Sequence, residues 1–482
     1  MTRAIRRPLE LLAVAGAAVL LRVITGVGFA NYDTLYALAW GGQLARGQTP
    51  AYAVAIAPTP HPLLELLGLV LYPLGPRAVV DVVVALGFLA LAGCAWVIFR
   101  LGQAWFTWAA GALAALLFIT RVPVLSYGVR AYVDIPYLFL ILTALLVETR
   151  RRRAGAPVLA LLVLAGLLRP EAWAFSALYW LYVMGFVPRR LRDPDRPRPE
   201  RAQALRLTLL AAAAPVIWLA SDLLVTGDPL WSLKNTRHTA STLGRVSGIR
   251  NVPQYIPRRL GEILRAPVLV GAAVGGVLSL WWLRGRALPG ALAGVLAVVV
   301  FAFFATLGLP INTRYAFLAA AILCIFCGAG VFGWLALAPG DPRRRWWMAA
   351  GAVVLVALVA YAPAGWRGAH REMRKLARQQ HIEGELVSLA RDGTVNLRCG
   401  PVGVPNHAPV PLLALYLKAS PARIVSLQSG HIDYGVYVDP AGREVELDYV
   451  LDPRDPHQPV SVPPGFGFVR ANSSWMIFAR CV

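Results

Sequence analysis

The chain has 482 residues, 57% hydrophobic and only 15% charged, with a mean hydropathy of +0.58, whereas soluble domains carry roughly 25% charged residues. That balance excludes an ordinary water-soluble protein. The net charge of +22 is carried almost entirely by arginines flanking apolar stretches, as loops on the inner side of a membrane carry them, and this placement argues against nucleic acid as a partner.

In chain order, MTRAIRR brings Arg3, Arg6 and Arg7 to the start of an apolar run over 9–30. This run is about 33 Å long as a helix, longer than a signal-peptide core, and reads as an uncleaved first span. Further spans are predicted at 78–100, 106–122, 134–149, 203–224, 268–284, 290–309, 315–337 and 346–363. The stretch 156–187 lies between the arginine run 150–153 and the cluster Arg189, Arg190, Arg192, Arg196, Arg198 and Arg201. It is too short for two crossings of roughly 20 residues each. It reads as a shallow helical hairpin with Leu168-Arg169-Pro170-Glu171 at its tip. The expected architecture is a polytopic α-helical membrane protein with about eleven transmembrane helices and a C-terminal extracytoplasmic α/β domain. The arginine clusters put the N-terminus on the cytoplasmic side; the expected location is the plasma (inner) membrane, with a transmembrane part over 1–363 and an outer soluble part over 364–482.

The tail carries short alternating patterns. An amphipathic helix is predicted over 366–391, strands at TVNLRCGP, ARIVSLQ and SSWMIFARCV, a helix at PVPLLALYLKAS, and a hairpin at VYVDPAGREVEL turning on Asp-Pro-Ala-Gly. Cys399 and Cys481 both fall in this outer part, where disulfides are permitted; whether they bond depends on a Cα separation below about 7 Å. Cys94, Cys324 and Cys327 fall in spans, and Cys324-x-x-Cys327 reads as helix packing, since zinc would want two more ligands.

Chemistry-bearing residues gather in the outer segments. GVGFANYDTLYALAWGGQ leaves the membrane at Asp33, whose neighbours include Asn31, Tyr32, Tyr36 and, further on, His61, groups of the kind that line polar-ligand sites. Asp134 begins an inward span and reads equally as a helix cap or as a functional intramembrane acid. The segment 225–267 is basic although it lies outside: Lys234, Arg237, Arg245, Arg250, Arg258, Arg259 and Arg265, with His238 among them, face only Asp228 and Glu262. Such a surface suits a phosphate or anionic lipid. Arg314 with Tyr315, in GLPINTRYAFLAA, enters a span alone and must snorkel or pair. Arg169 and Glu171 at the hairpin tip either pair with each other or face a ligand.

Asp33 after the first span, PTPHPLLELLGLVLYPLG, LLRPEAW, TGDPLWSL and NTRYAFLAA, in that order and sidedness, resemble the GT-C superfamily of polyprenyl-phosphate-sugar-dependent glycosyltransferases. The similarity is to bacterial relatives of the dolichyl-phosphate-mannose protein mannosyltransferases and to actinobacterial arabinosyl- and mannosyltransferases, and it covers roughly residues 1–362. It implies that Asp33 is, or positions, the base for the acceptor hydroxyl, with Asp134 as a second acid. It also implies that the basic loop and Arg314 hold the lipid-linked phosphate. The implied partners are a polyprenyl-phosphate-linked sugar donor, membrane lipid, and a glycan, lipid or protein acceptor. Many relatives carry two adjacent acids where this chain has Asp33 alone between Tyr32 and Thr34. The tail motif CGPVGVPNHAPVPLLALYL resembles outer domains of actinobacterial members.

No phosphate-binding G-x-x-x-x-G-K-[ST] occurs, consistent with a donor that stays in the lipid. No cofactor is required by this reading. Asp33, Asp134, His61 and Glu65 could supply donors to a divalent metal, although no spacing demands one. The competing readings are a transporter or flippase for a lipid-linked sugar, against which the chain shows no paired halves, and a non-catalytic envelope scaffold.

Overall fold

Apolar helices of membrane length dominate the computed structural model, which describes residues 3–186, 199–450 and 461–481. The arginines at 189, 190, 192, 196 and 198 lie outside the described residues. In chain order the helices are α1 (Arg3–Thr25), α2 (Tyr32–Ala45), α3 (Pro62–Leu71), α4 (Pro76–Trp105), α5 (Trp108–Ile119), α6 (Val122–Val129), α7 (Asp134–Arg150), α8 (Ala156–Leu168) and α9 (Glu171–Met184). They continue with α10 (Arg201–Thr226), α11 (Trp231–Thr242), α12 (Val252–Trp282), α13 (Arg284–Thr306), α14 (Phe317–Phe332), which a 3-10 turn Thr313–Ala316 precedes, and α15 (Pro342–Arg391).

Among the described residues seven helices are long and apolar enough to cross a membrane, or eight if α5 and α6, bent by 66°, form one broken span. This is a multi-pass membrane protein. Of the other three helices of the expected eleven, α7 has 17 residues, at the lower end of the spanning range, and α8 and α9, with 13 and 14, are too short for an independent crossing. The chain breaks between α8 and α9 at Arg169-Pro170, the predicted hairpin tip.

Small residues let the bundle close around α14, buried almost throughout its length. A Cβ on Gly275 of α12 would lie 1.8 Å from the Phe326 carbonyl, and one on Gly328 would lie 2.1 Å from that of Ala110. Without lipid-excluded apolar area to drive association, such close backbone approach is what holds membrane helices together. Cys94, Cys324 and Cys327 are free and buried among these contacts.

The tail holds β1 (Val402–Val404), α16 (Val410–Tyr416), β2 (Ile424–Ser426), β3 (Gly435–Pro440), β4 (Gly467–Ala471) and β5 (Trp475–Arg480). They form one sheet in the order β2-β1-β3-β5-β4, with β1 parallel to β2 and β3 and the β3-β5-β4 side antiparallel. Cys399 and Cys481 are disulfide-bonded, their Cα atoms 4.9 Å apart. Two expectations are corrected here. The strand at TVNLRCGP begins only at Val402, after the disulfide. The predicted VYVDPAGREVEL hairpin does not form: β5 takes the edge of β3, Pro440 pairing with Trp475, and after Gly442 the chain coils into the helical turn Arg443–Val445.

α15 runs unbroken across position 363, and the sheet docks on its far end through the Trp475 indole N–H, which donates to the Ile382 carbonyl at 2.9 Å. α16 packs on α2, and one apolar cluster runs from Tyr36 and Trp40 through Leu412 and Leu413 to Val436 and Ile477.

Candidate active site

Three carboxylates stand in the first turns of three helices: Asp33 in α2, Asp134 in α7 and Glu171 in α9. The positive end of a helix favours an anion there. Asn31 caps α2, its Oδ1 accepting from the N–H groups of Asp33 at 2.8 Å and Thr34 at 3.3 Å. Its Nδ2 donates to the Arg130 carbonyl at 3.1 Å, and Thr34 Oγ1 donates to the Ala131 carbonyl at 2.8 Å. These bonds pin the Asp33 turn to the segment before α7. Asp134 makes no capping bond, so the capping reading gives way to its ion pairs.

Two arginines lie between the acids. Arg314, in the turn before α14, donates through Nη1 to Asp33 Oδ2 at 2.9 Å and lies 3.6 Å from Asp134 Oδ2. Arg169 donates to Asp134 through Nη1 and grips Glu171 with Nε, at 3.2 Å, and Nη2. Its guanidinium lies over the Tyr315 ring, 4.3 Å from the ring centre, a cation–π contact that arginine favours. The result is an alternating row Asp33, Arg314, Asp134, Arg169, Glu171. Within it both arginines are already committed, so the row carries one more negative than positive charge.

Four members of this row, Asp33, Arg314, Arg169 and Glu171, form part of the wall of a cavity of about 640 Å³. One part is polar, with Asp33, His61, Asp222 and Arg245. The other is apolar, with Leu178 of α9 and Val299 and Phe303 of α13. Arg245, just after α11, makes no side-chain hydrogen bond or ion pair among the described residues, and its charge is felt at Asp33. Burial alone would raise the Asp33 carboxyl; the Arg314 guanidinium overcomes this and holds it below the usual carboxylate range.

Behind Asp33 sits a second buried set. His61 Nδ1–H donates to the Leu168 carbonyl at 2.7 Å, which leaves Nε2 of the neutral ring an acceptor. Burial pushes this imidazole down to about 4. Glu65 accepts from the Tyr52 hydroxyl at 2.5 Å and from the His61 backbone N–H at 3.1 Å, and burial pushes its carboxyl up to about 7.

No family model matches the chain, and no curated protein matches it. Among solved structures it is similar to ArnT from Cupriavidus metallidurans bound to undecaprenyl phosphate, at 13% identity and a TM-score of 0.54, covering 97% of both chains. The apo structure of the same protein gives 14% identity and a TM-score of 0.50, covering 99% of this chain and 98% of that one. The chain shares the fold of these structures, the GT-C fold.

Within this fold, the anticipated Asp33, His61, Arg169, Glu171, Arg314 and Tyr315 come together around the large cavity, and Asp134 lines a small pocket beside it that shares Arg169, Glu171, Arg314 and Tyr315. Tyr32 and Tyr36 sit just beside the large cavity. The Tyr32 hydroxyl donates to the Ile56 carbonyl at 3.0 Å, and its ring meets those of Tyr36 and His407 edge to face. Lys234, Arg237, His238 and Arg258 are not brought in. At 100° per residue the cavity face of α11 is Ser232, Thr236 and Thr239, and Lys234, Arg237 and His238 project from the other side. Lys234 instead pairs with Asp228 at 2.5 Å, Arg237 donates to the Leu307 carbonyl at 2.5 Å, and Arg258 pairs with Glu262 at 3.3 Å.

Asp33, Asp134, His61 and Glu65 do not converge as metal donors: the first two are turned to arginines and Glu65 to Tyr52. Among the described residues no group of three or more His, Cys, Asp or Glu is placed to hold a metal. Sequence reasoning passed over Asp222, although an acid near the end of an apolar span was signal enough. It also did not single out Arg245 from the basic loop.

Proposed function

We propose that the protein is a membrane glycosyltransferase that moves a sugar from a polyprenyl-phosphate donor to an acceptor hydroxyl. The observation that carries this is one cavity joining an apolar slot between α9 and α13 to a polar end with an ionised carboxylate and an uncommitted arginine. A prenyl chain suits the slot, and Arg245, with Arg314 beside it, suits the phosphate. The ArnT structure bound to undecaprenyl phosphate supports a lipid of this class.

In this reading Asp33 accepts the proton of the acceptor hydroxyl as its oxygen bonds to the anomeric carbon. The bond from that carbon to the lipid phosphate oxygen breaks, and the phosphate leaves with the electron pair. Its growing charge is met by cations already in position, which need no reorganisation, while the sugar passes through an oxocarbenium-like state. Arg314 has two tasks: it keeps Asp33 ionised and aims it. Asp134, Arg169 and Glu171 hold Arg314 in turn. The acceptor is a glycan, lipid or protein on the face that carries the sheet, which we take to be extracytoplasmic. Mannosyl and arabinosyl donors are the first sugars to offer.

The test is a transfer assay with purified protein in nanodiscs, using radiolabelled polyprenyl-phosphoryl mannose and arabinose and a simple glycoside acceptor, beside Asp33→Asn. Label should move only with Asp33 intact. Failure to bind undecaprenyl phosphate would remove the reading; transfer undiminished in Asp33→Asn would remove the assignment of the base.

A further inference from the structure

We propose that Asp222, Ser232 and the indoles of Trp173 and Trp218 form the subsite for the sugar ring of the donor and read its hydroxyl groups. This rests on the lipid-phosphate reading above and extends it to a part of the cavity that the reaction scheme does not use.

Asp222 lies one turn before the end of α10, is 2% exposed, and lines the cavity. Its Oδ2 accepts from the Ser232 backbone N–H at 2.8 Å and its Oδ1 from the Ser232 hydroxyl at 2.8 Å. A carboxylate offers about four acceptor positions, so capacity remains. Unlike Asp33, Asp134 and Glu171, it has no arginine or lysine in ion-pair range among the described residues. A buried anion with so little compensation is costly, and a ligand that brings hydrogen-bond donors into the cavity offsets that cost.

The surroundings are fixed. Ser232 Oγ gives its proton to Asp222 and accepts from the Trp218 indole N–H at 3.0 Å. The Trp173 indole N–H is held by the Gly166 carbonyl at 3.1 Å. The two indoles meet edge to face at 5.6 Å, and the His61 ring meets Trp218 at 6.3 Å. Both tryptophans line the cavity with their N–H groups already occupied, so they offer carbon faces to it.

Chemistry then selects the ligand. An uncompensated carboxylate repels a phosphate, and a prenyl chain has nothing to donate to it. A sugar ring has both an apolar C–H face, which suits indole, and a rim of hydroxyl donors, which suits Asp222 and the acceptor nitrogen Nε2 of His61. With the phosphate on Arg245, the ring then extends from the Asp33 side of the cavity toward Asp222.

The experiment measures binding to the full-length protein in nanodiscs, with undecaprenyl phosphate and a panel of synthetic undecaprenyl-phosphoryl pentoses and hexoses as probes. The wild type should bind at least one sugar-bearing lipid more tightly than the bare one. Asp222→Asn should weaken that binding by about tenfold or more, as sites built to hydrogen-bond a hydroxyl do when a partner is lost, and leave the bare lipid within about twofold. Trp173→Leu leaves the Asp222–Ser232 bonds untouched and should show the same selective loss, which covers the case in which Asp222→Asn does not fold. Variants that bind both lipid classes as the wild type does, or lose both equally, overturn the subsite while the carrier reading stands. A wild type that binds none of these lipids sinks the carrier reading and the subsite together.

Discussion

Arg314 donates to Asp33 at 2.9 Å across 281 residues of sequence, joining the first turn of α2 to the turn before α14. The cation paired with Asp33 is thus delivered by the turn that leads into the most enclosed of the described spanning helices.

Replacing Asp33 by Asn keeps the shape and leaves the Asn31 cap intact. Transfer should fall by about 10²- to 10⁴-fold, the usual contribution of a positioned proton acceptor. Undecaprenyl phosphate binding should persist. A parallel loss of lipid binding would make Asp33 a structural residue instead.

Arg314→Gln removes the shared partner of Asp33 and Asp134. Breaking a buried pair from one side costs about 3–5 kcal/mol, so unfolding in detergent should shift clearly downward. Adding Asp33→Asn should recover part of that loss. A strictly additive double variant would show that the two side chains are not coupled.

The buried pair His61 and Glu65 gives a pH signature whose sign can be worked out. His61 is pushed down to about 4, so its contribution to stability is lost as pH falls from about 6.5. Glu65 is pushed up to about 7, so its contribution is lost as pH rises from about 4.5. Between about 4.5 and 6.5 the folded pair keeps one proton on Glu65 and the unfolded pair keeps one on His61, so the two slopes cancel. Glu65→Gln should unmask a loss of thermal stability toward acid, and His61→Asn a loss toward neutral pH. Wild-type slopes unchanged in both variants would contradict the assignment.

Gly275 and Gly276 provide an internal control for bundle packing. A methyl at 275 meets the Phe326 carbonyl at 1.8 Å, whereas one at 276 meets nothing within 4 Å. Gly275→Ala should destabilise by about 1–3 kcal/mol or more, and Gly276→Ala should be neutral or slightly stabilising in mid-helix. Equal behaviour of the two would mean that α12 and α14 do not approach as described.

The long apolar helices were legible from hydropathy, because a membrane leaves no other way to satisfy the backbone. The break at Arg169-Pro170 was legible from length and proline. The acidic row was legible as residues but not as a row, since Asp33, Asp134, Glu171 and Arg314 are joined only by tertiary packing. The basic loop misled because charge was counted along the chain, whereas helical phase decides which side of α11 faces the cavity. The VYVDPAGREVEL hairpin failed for a related reason: its turn residues were suitable, but a distant strand, β5, took the edge. Asp222, the acid near the end of the span 203–224, carried the same signal as Asp134 and was passed over.

α15 extends for 50 residues, about 75 Å of continuous helix, where about 30 Å suffices for the hydrocarbon. The surplus stands as a mast on the side of the sheet. Its Gln380 accepts from the Gly28 backbone N–H at 3.0 Å, and its sheet shares one apolar cluster with Tyr36 and Trp40 of α2. Cutting the chain near Pro363 would therefore not release a detachable module. It would strip the helix that carries Asp33 of its cover and expose those aromatic side chains to water, so the C-terminal part is better regarded as the keystone of the cavity than as an appendage to it.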